Sequence, residues 1–432
     1  MMRTFMSHPS LSADWNGDYE EKSAEWFELF LDLIMVAAFS NVTEKLKEDL
    51  TLHGILHFAL LTSMYTISWT LYTSFHARYN EKSLLHYAYL YVWLVGLGGM
   101  VLAGEAGVTF TIGLGLVRVS QLLMYATVYH LLPRARGQTF VDILFIIFSI
   151  LVVVLALVLP SPWTHSCYAV IFVAEAVLRY FAAVQGWFMK PGDMRVPMNI
   201  DHFHERVGCL VMVALGEAVV SAIIHFETPE LLTTRFFVMM QLALLVIFSM
   251  AMYYFAIKPP REIHAMRRSS LSGVAFGWLH FLLYPTLLVI GVGLKLVTAA
   301  VLNDSPLHAT HVWVLFGAMA TAMTIMLVIR LAHYGGRQPA PTDPPHIKRI
   351  KNAWWLIIGV TPLVVLAAAA MLIWTSGQDA TDPVVALAVA AALNVFSILI
   401  ESAIMNYLVE IGHDGLTVEN QGETTSLLPP SK

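Results

Sequence analysis

Residues 139–159 read TFVDILFIIFSILVVVLALVL, with a single charge, Asp142, close to the start. A helix of about 20 such residues spans the roughly 30 Å hydrocarbon core of a bilayer, where the backbone can satisfy its polar groups only internally. Working outward from this run, five more apolar stretches lie in the first half, at 26–43, 55–75, 84–103, 109–131 and 165–188. Six follow in the second, at 203–224, 236–257, 273–301, 310–331, 353–374 and 383–405. The expectation is an all-α polytopic membrane protein with about twelve transmembrane helices.

Composition agrees. Apolar residues make up 57 % of the 432 positions and charged residues 13 %, against about 45–50 % and about 25 % in soluble domains. The net charge of −5 and the lack of a basic block give no footing for nucleic acid as a partner. Cys167 and Cys209 sit in apolar runs near opposite faces of the expected bundle, which argues against a mutual disulfide. The first 24 residues are polar and acidic and lack an apolar core of the signal-peptide kind, so the first span is expected to direct insertion.

Lys and Arg are distributed unequally between alternate loops. With the N-terminus inside, cytoplasmic segments carry 18, external loops carry three (Lys45, Lys47 and Arg235), and four lie within or at the end of spans. That asymmetry predicts cytoplasmic termini. The domain reading is a cytoplasmic tail (1–25), a first six-helix half (26–188), a cytoplasmic linker (189–202), a second six-helix half (203–405) and a disordered cytoplasmic tail (406–432). Gly335 to Pro345 reads as a flexible cytoplasmic loop. The two halves suggest a parallel repeat. ELFLDLIMVAA from Glu28 aligns with ERVGCLVMVAL from Glu205, and the third and ninth spans each pair a histidine (His86, His280) with a later glycine pair.

Charge inside spans is where function is expected to show, since each such group costs roughly 2.5–3.5 kcal/mol at a helix centre. Glu28 and Asp32 share a face of the first span. Arg206 and Glu217 share a stripe of the seventh, within about 20° of each other and about 16 Å apart along the axis, with Gly216 expected to allow close helix approach. Glu175 and Arg179, four apart, read as an internal ion pair. Arg118 needs a partner from another helix, with Asp32, Glu175 and Glu217 as candidates. Lys295 marks the end of the ninth span, His280 reads as a packing or relay residue, Asn394 as packing glue, and Glu401 as an interfacial charge. Asp142 is expected to favour a helix N-terminus. Tyr72, Phe75 and Tyr79 read as part of an aromatic belt at the membrane surface.

Soluble-enzyme motifs, phosphate-binding loops and metal-ligand spacings do not occur. The HFHE stretch from His202 to Glu205 places its histidines two apart, off any shared helical face. No cofactor, metal or catalytic residue is expected. In the tail, Glu423, Leu427 and Leu428 form an acidic dileucine pattern of the kind read by sorting adaptors on endosomal and vacuolar membranes.

With these residues in hand, the chain resembles the low temperature requirement protein A (LtrA) family. EWFELFLDLIMVAAFSNV is similar to that family's opening signature, SFHARYNEKSLLH to its aromatic-rich turn, and HFHERVGCLVMVALGEAVV to its central signature. The resemblance implies a multi-helix membrane protein and marks Glu28, Asp32, Glu205, Arg206 and Glu217 as signature positions, assigning them no role. The functional expectation is an ion-coupled permease of a small solute or ion, not an enzyme. It would work through Glu217 with Asp32, balanced by Arg118 and Arg206, in the plasma membrane or an endosomal or vacuolar membrane. An ion or proton channel, a lipid-acting membrane enzyme and a structural membrane-adaptation protein are the alternatives.

Overall fold

The computed structural model describes residues 5, 8–13, 24–186, 188–189, 195–223, 233–255, 264–333, 339 and 341–411. The dileucine pattern at Glu423, Leu427 and Leu428 lies outside them, as do parts of both expected tails, the linker and the Gly335–Pro345 loop. The chain divides into two compact units, Met1–Val213 and Ala214–Lys432.

Unit 1 holds α1 (Trp26–Glu48), α2 (Leu52–His76), α3 (Leu84–Ala103), α4 (Val108–Leu131), α5 (Arg136–Val158), α6 (Ser161–Phe172) and α7 (Arg179–Gln185). A π-helical turn, Val173–Leu178, joins the last two. Strand β1 (Ser10–Leu11) pairs antiparallel with β2 (Tyr79–Asn80), pinning part of the N-terminal segment to the α2–α3 turn. The helix α8 (Ile200–Ile223) starts in unit 1 and ends in unit 2. Unit 2 continues with α9 (Thr234–Phe255), the short α10 (Ala265–Arg268), α11 (Ser270–Leu302), α12 (Ala309–His333), α13 (Pro345–Ser376) and α14 (Pro383–Glu410).

Local chemistry sets the boundaries. Thr51 and Ser83 cap α2 and α3 by accepting from Gly54 and His86, and Asp382 accepts from Val384 and Val385 at the start of α14. Gly104 ends α3 in the left-handed region, φ 65°, where a side chain would be strained. Between α3 and α4 the backbones nearly touch: a Cβ on Gly96 would lie 2.7 Å from the Gly113 carbonyl oxygen. Small residues at a crossing are how membrane helices gain packing energy without a hydrophobic drive.

Ten of the described helices are long and apolar enough to cross a membrane, so the protein is an integral multi-pass membrane protein. Large apolar side chains face outward, Val158 and Leu102 at 79 % and 88 % exposure in unit 1 and Trp374 at 82 % in unit 2. Such surfaces suit lipid, not water. Each of the twelve expected spans is helical over most of its described residues, but two are not among these ten. The helix α2 is 25 residues long yet dense in Ser, Thr, Tyr, Trp and His. The segment 161–185 is interrupted by the π turn.

Two further expectations are corrected. Tyr72, Phe75 and Tyr79 are not an interfacial belt but are buried within unit 1, where Phe75 packs on Tyr79 and on Tyr125 of α4 with ring centroids 5.1 Å apart. Gly216 faces open space, while Gly291 of α11 makes the close approach to α8: a Cβ added there would lie 3.3 Å from the Ala218 Cα.

Candidate functional site

The polar site of unit 1 is assembled from matching helical spacings. On α1, Glu28 and Asp32 lie one turn apart on the buried face that also holds Leu31, Met35 and Phe39. On α8, His202 and Arg206 have the same spacing. They pair rung for rung. His202 Nε2 meets Glu28 Oε2 at 2.9 Å, and Arg206 Nη1 and Nη2 donate to the two Asp32 oxygens at 2.5 and 2.6 Å. Such a two-pronged fork suits a guanidinium, which stays charged at any working pH.

Aromatic groups of α2 close the cluster. Trp69 Nε1 donates to Asp32 Oδ1 at 2.8 Å, and the Arg206 guanidinium lies 5.4 Å from the Trp69 ring centre, within cation–π range. His76 Nδ1 lies 3.7 Å from Glu28 Oε1. The Arg206 side chain is wholly buried. Arg206 Nε, His202 Nδ1 and the Tyr72 hydroxyl are buried without a hydrogen-bond partner among the described residues.

Further pairs lie deeper in unit 1. Arg118 of α4 grips Glu175 with Nε and Nη2, both at 2.7 Å, and Nη1 also reaches Ser68 Oγ at 3.0 Å. Arg179 donates to Asp142 Oδ1 from Nε at 2.9 Å and to the Tyr125 hydroxyl at 3.1 Å. The expected Glu175–Arg179 pair is therefore wrong. The π turn that contains Glu175 widens the helix, so residues four apart no longer stack, and each charge turns to a different helix. Asp142 is likewise a partner in an ion pair rather than a helix-start charge.

In unit 2, Lys295 Nζ of α11 meets Glu217 Oε1 at 3.0 Å, and Ser221 donates to the other carboxylate oxygen at 3.0 Å. Lys295 is buried well inside α11, not at its end. Arg330 of α12 donates to Glu401 of α14 at 2.8 Å and to the Tyr253 carbonyl at 2.9 Å, so Glu401 is a pair member and not an interfacial charge. Asn394 donates to Ser249 at 3.0 Å. His280 meets the Tyr254 hydroxyl at 2.9 Å and the Phe276 carbonyl at 2.8 Å.

Of the residues singled out from sequence, Glu28, Asp32 and Arg206 meet in one network and Arg118 meets Glu175. Arg179, Glu217 and His280 join other partners, and Glu205 accepts from the Ala24 amide at 3.0 Å. Sequence reasoning missed His202, His76 and Trp69. The available signal for His202 was its spacing from Arg206, which repeats that of Glu28 from Asp32. In the α3–α4 turn, outside the spans, Glu105 accepts from Lys45 of α1 at 2.8 Å, which holds its carboxyl below the ordinary carboxylate range.

Apolar helices that expose their outer faces to lipid and bury paired charges inside define a polytopic helical membrane protein with an ionisable interior. More particularly, the chain belongs to the LtrA family: residues 23–407 match the family described as bacterial low temperature requirement A protein. No curated protein and no solved structure matches it.

Proposed function

We propose that this protein is an ion-coupled secondary transporter of a small solute or ion, and that it works with cytoplasmic termini. One observation carries the reading. The buried network of unit 1 holds two carboxylates, Glu28 and Asp32, one permanent cation, Arg206, and two imidazoles, His76 and His202. One proton shared among Glu28 and the histidines makes that set neutral. Neutrality is strongly favoured in a low-dielectric interior, so the network is suited to hold a proton and to release it only when another charge arrives.

The packing inside each unit supports an origin by duplication, a common route to transporters. In unit 1, α3 packs on α4, α4 on α5, α5 on α6, and α6 on α2; in unit 2, α11 packs on α12, α12 on α13, α13 on α14, and α14 on α9. In each, an arginine of the fourth helix binds a glutamate of the sixth and an oxygen of the second (Arg118 with Glu175 and Ser68, Arg330 with Glu401 and Tyr253). A structural role in membrane adaptation is the second reading, favoured by the complete matching of these arginine–glutamate pairs.

The test is electrical recording from proteoliposomes holding the purified full-length protein under an imposed pH gradient, with a panel of solutes. A solute-dependent current that disappears in Glu28→Gln supports coupling through the unit 1 network. A silent membrane across the panel, or a current unchanged in Glu28→Gln, overturns it.

A further inference from the structure

Two sets of hydroxyls on α2 behave differently. Ser63, Ser68 and Thr70 each donate to the carbonyl four residues back, at 2.6, 2.7 and 2.8 Å, the ordinary way for a helix to satisfy a hydroxyl away from water. Thr62, Tyr65, Thr66, Tyr72 and Thr73 do not. Their oxygens are buried and have no hydrogen-bond partner among the described residues, and each residue is at most 1 % exposed. At about 100° per residue these five fall on one face of α2 with Trp69 and His76. Unmet polar groups in hydrocarbon cost several kcal/mol each, so five along one helix face imply polar company that the described residues do not provide. Same-face neighbours on a helix have Cβ atoms about 5–6 Å apart, and polar groups at that spacing that do not meet directly can be joined by one bridging water.

We propose that this face of α2 is a water-filled proton path through unit 1. From Thr62 to His76 it runs 14 residues, about 21 Å at 1.5 Å per residue, or some two-thirds of the hydrocarbon thickness. Both ends finish in protonatable groups. Near the start of α2, His57 Nδ1 and His165 Nε2 are 3.3 Å apart and only half buried. At the other end, His76 stacks edge-on against His86, ring centres 5.1 Å apart, beside Glu28.

Between these ends the walls are polar on more than one helix. The Thr111 and Tyr168 hydroxyls meet at 2.7 Å, and Phe110 packs against both Tyr65 and Tyr168. On α3, Trp93 Nε1 and His86 Nε2 are further buried donors or acceptors without a partner among the described residues. The charged groups beside the path are Glu28 and Asp32 from α1, Arg206 from α8, and the Arg118–Glu175 pair, which reaches α2 through Ser68.

The chemistry selects a proton over other cargo. Hydroxyls and water each donate and accept, as a relay requires, whereas no carboxylate stands between Thr62 and Trp69 on this helix to replace the hydration of a metal cation. In one passage a proton is taken from water at the His57–His165 end. Each hydroxyl or water accepts one proton and gives up another, and His76, His86 or Glu28 returns one to water at the far end. Only O–H and N–H bonds form and break. The path rests on the transporter reading for what the proton drives, not for its existence.

The experiment uses the full-length protein in liposomes containing a pH-sensitive dye, with proton entry driven by a potassium diffusion potential. Hydroxyl-radical footprinting of the same sample reads whether water reaches Tyr65, Trp69 and Tyr72. We expect proton entry above that of protein-free liposomes, radical labelling of those buried rings, and a tenfold or greater loss of entry in Tyr72→Phe and in Thr66→Val/Thr73→Val. Ser63→Ala and Thr70→Val, whose hydroxyls are met by their own backbone, are expected to keep it. Unlabelled rings, no proton entry in the unaltered protein, or entry unchanged in both stripe variants would overturn the path. Proton entry and labelling as expected, with no solute-dependent current, would uphold the path and remove the transporter reading.

Discussion

Arg206 cannot give up its charge, and in unit 1 its stable companion is Asp32. Breaking a buried pair from one side leaves an uncompensated ion, at a cost of about 3–5 kcal/mol. Asp32→Asn is therefore expected to lower resistance to denaturation in detergent by that amount, measured by unfolding in mixed micelles. Glu217→Gln should cost less, because its partner Lys295 is a point-charge ammonium, whereas Arg206 grips both oxygens of Asp32 with a fork. Equal costs would contradict this account of the two pairs. The double change Asp32→Asn/Arg206→Gln should be milder than the sum of the singles, as expected for groups in direct contact.

At the scale of elements, helix crossings are decided by where backbone meets backbone. Gly96→Ala puts a methyl group 2.7 Å from the Gly113 carbonyl oxygen, and α3 and α4 must separate. A loss of about 1–3 kcal/mol is expected, as for other overpacked sites. Gly216→Ala, a methyl in open space within α8, should stabilise by about 0.5–1 kcal/mol through helix propensity. Thermal melting of both variants beside the parent gives the comparison, and a destabilised Gly216→Ala would show that the close contact to α8 is made elsewhere than at Gly291. Helical phase also explains the misread pair in the segment 161–185. The i,i+4 rule assumes about 3.6 residues per turn, and the π turn at Val173–Leu178 breaks that assumption where Glu175 sits.

At the scale of the whole molecule, pairing of Glu28 with His202 and of Asp32 with Arg206 makes α1 and the start of α8 run in the same direction. An odd number of membrane crossings must therefore lie between them. This holds whether α2 and the interrupted segment 161–185 both cross or both stay on one side. The count of basic residues predicts that 258–272 and 330–352 face the cytoplasm. Single cysteines placed in those loops of a variant lacking Cys167 and Cys209 should resist a membrane-impermeant maleimide added to intact cells and react after permeabilisation. A cysteine at Arg235 should react at once, and the reverse pattern would invert the topology.

The class of protein and the positions of its helices were legible in the linear sequence, because hydrocarbon imposes a length and an apolar composition that each helix must meet by itself. The carboxylates Glu28 and Asp32 stood out for the same reason, as local violations of that rule. Which charge meets which was decided only by tertiary structure. Ion pairing between helices depends on crossing angle, rotation and local winding, none of which is encoded in any single segment. Hence Arg206 proved to be held by Asp32, 174 positions away. Glu175 passed over Arg179 for Arg118, and a helix that read as ordinary in its length turned out to bury a face of unmet hydroxyls.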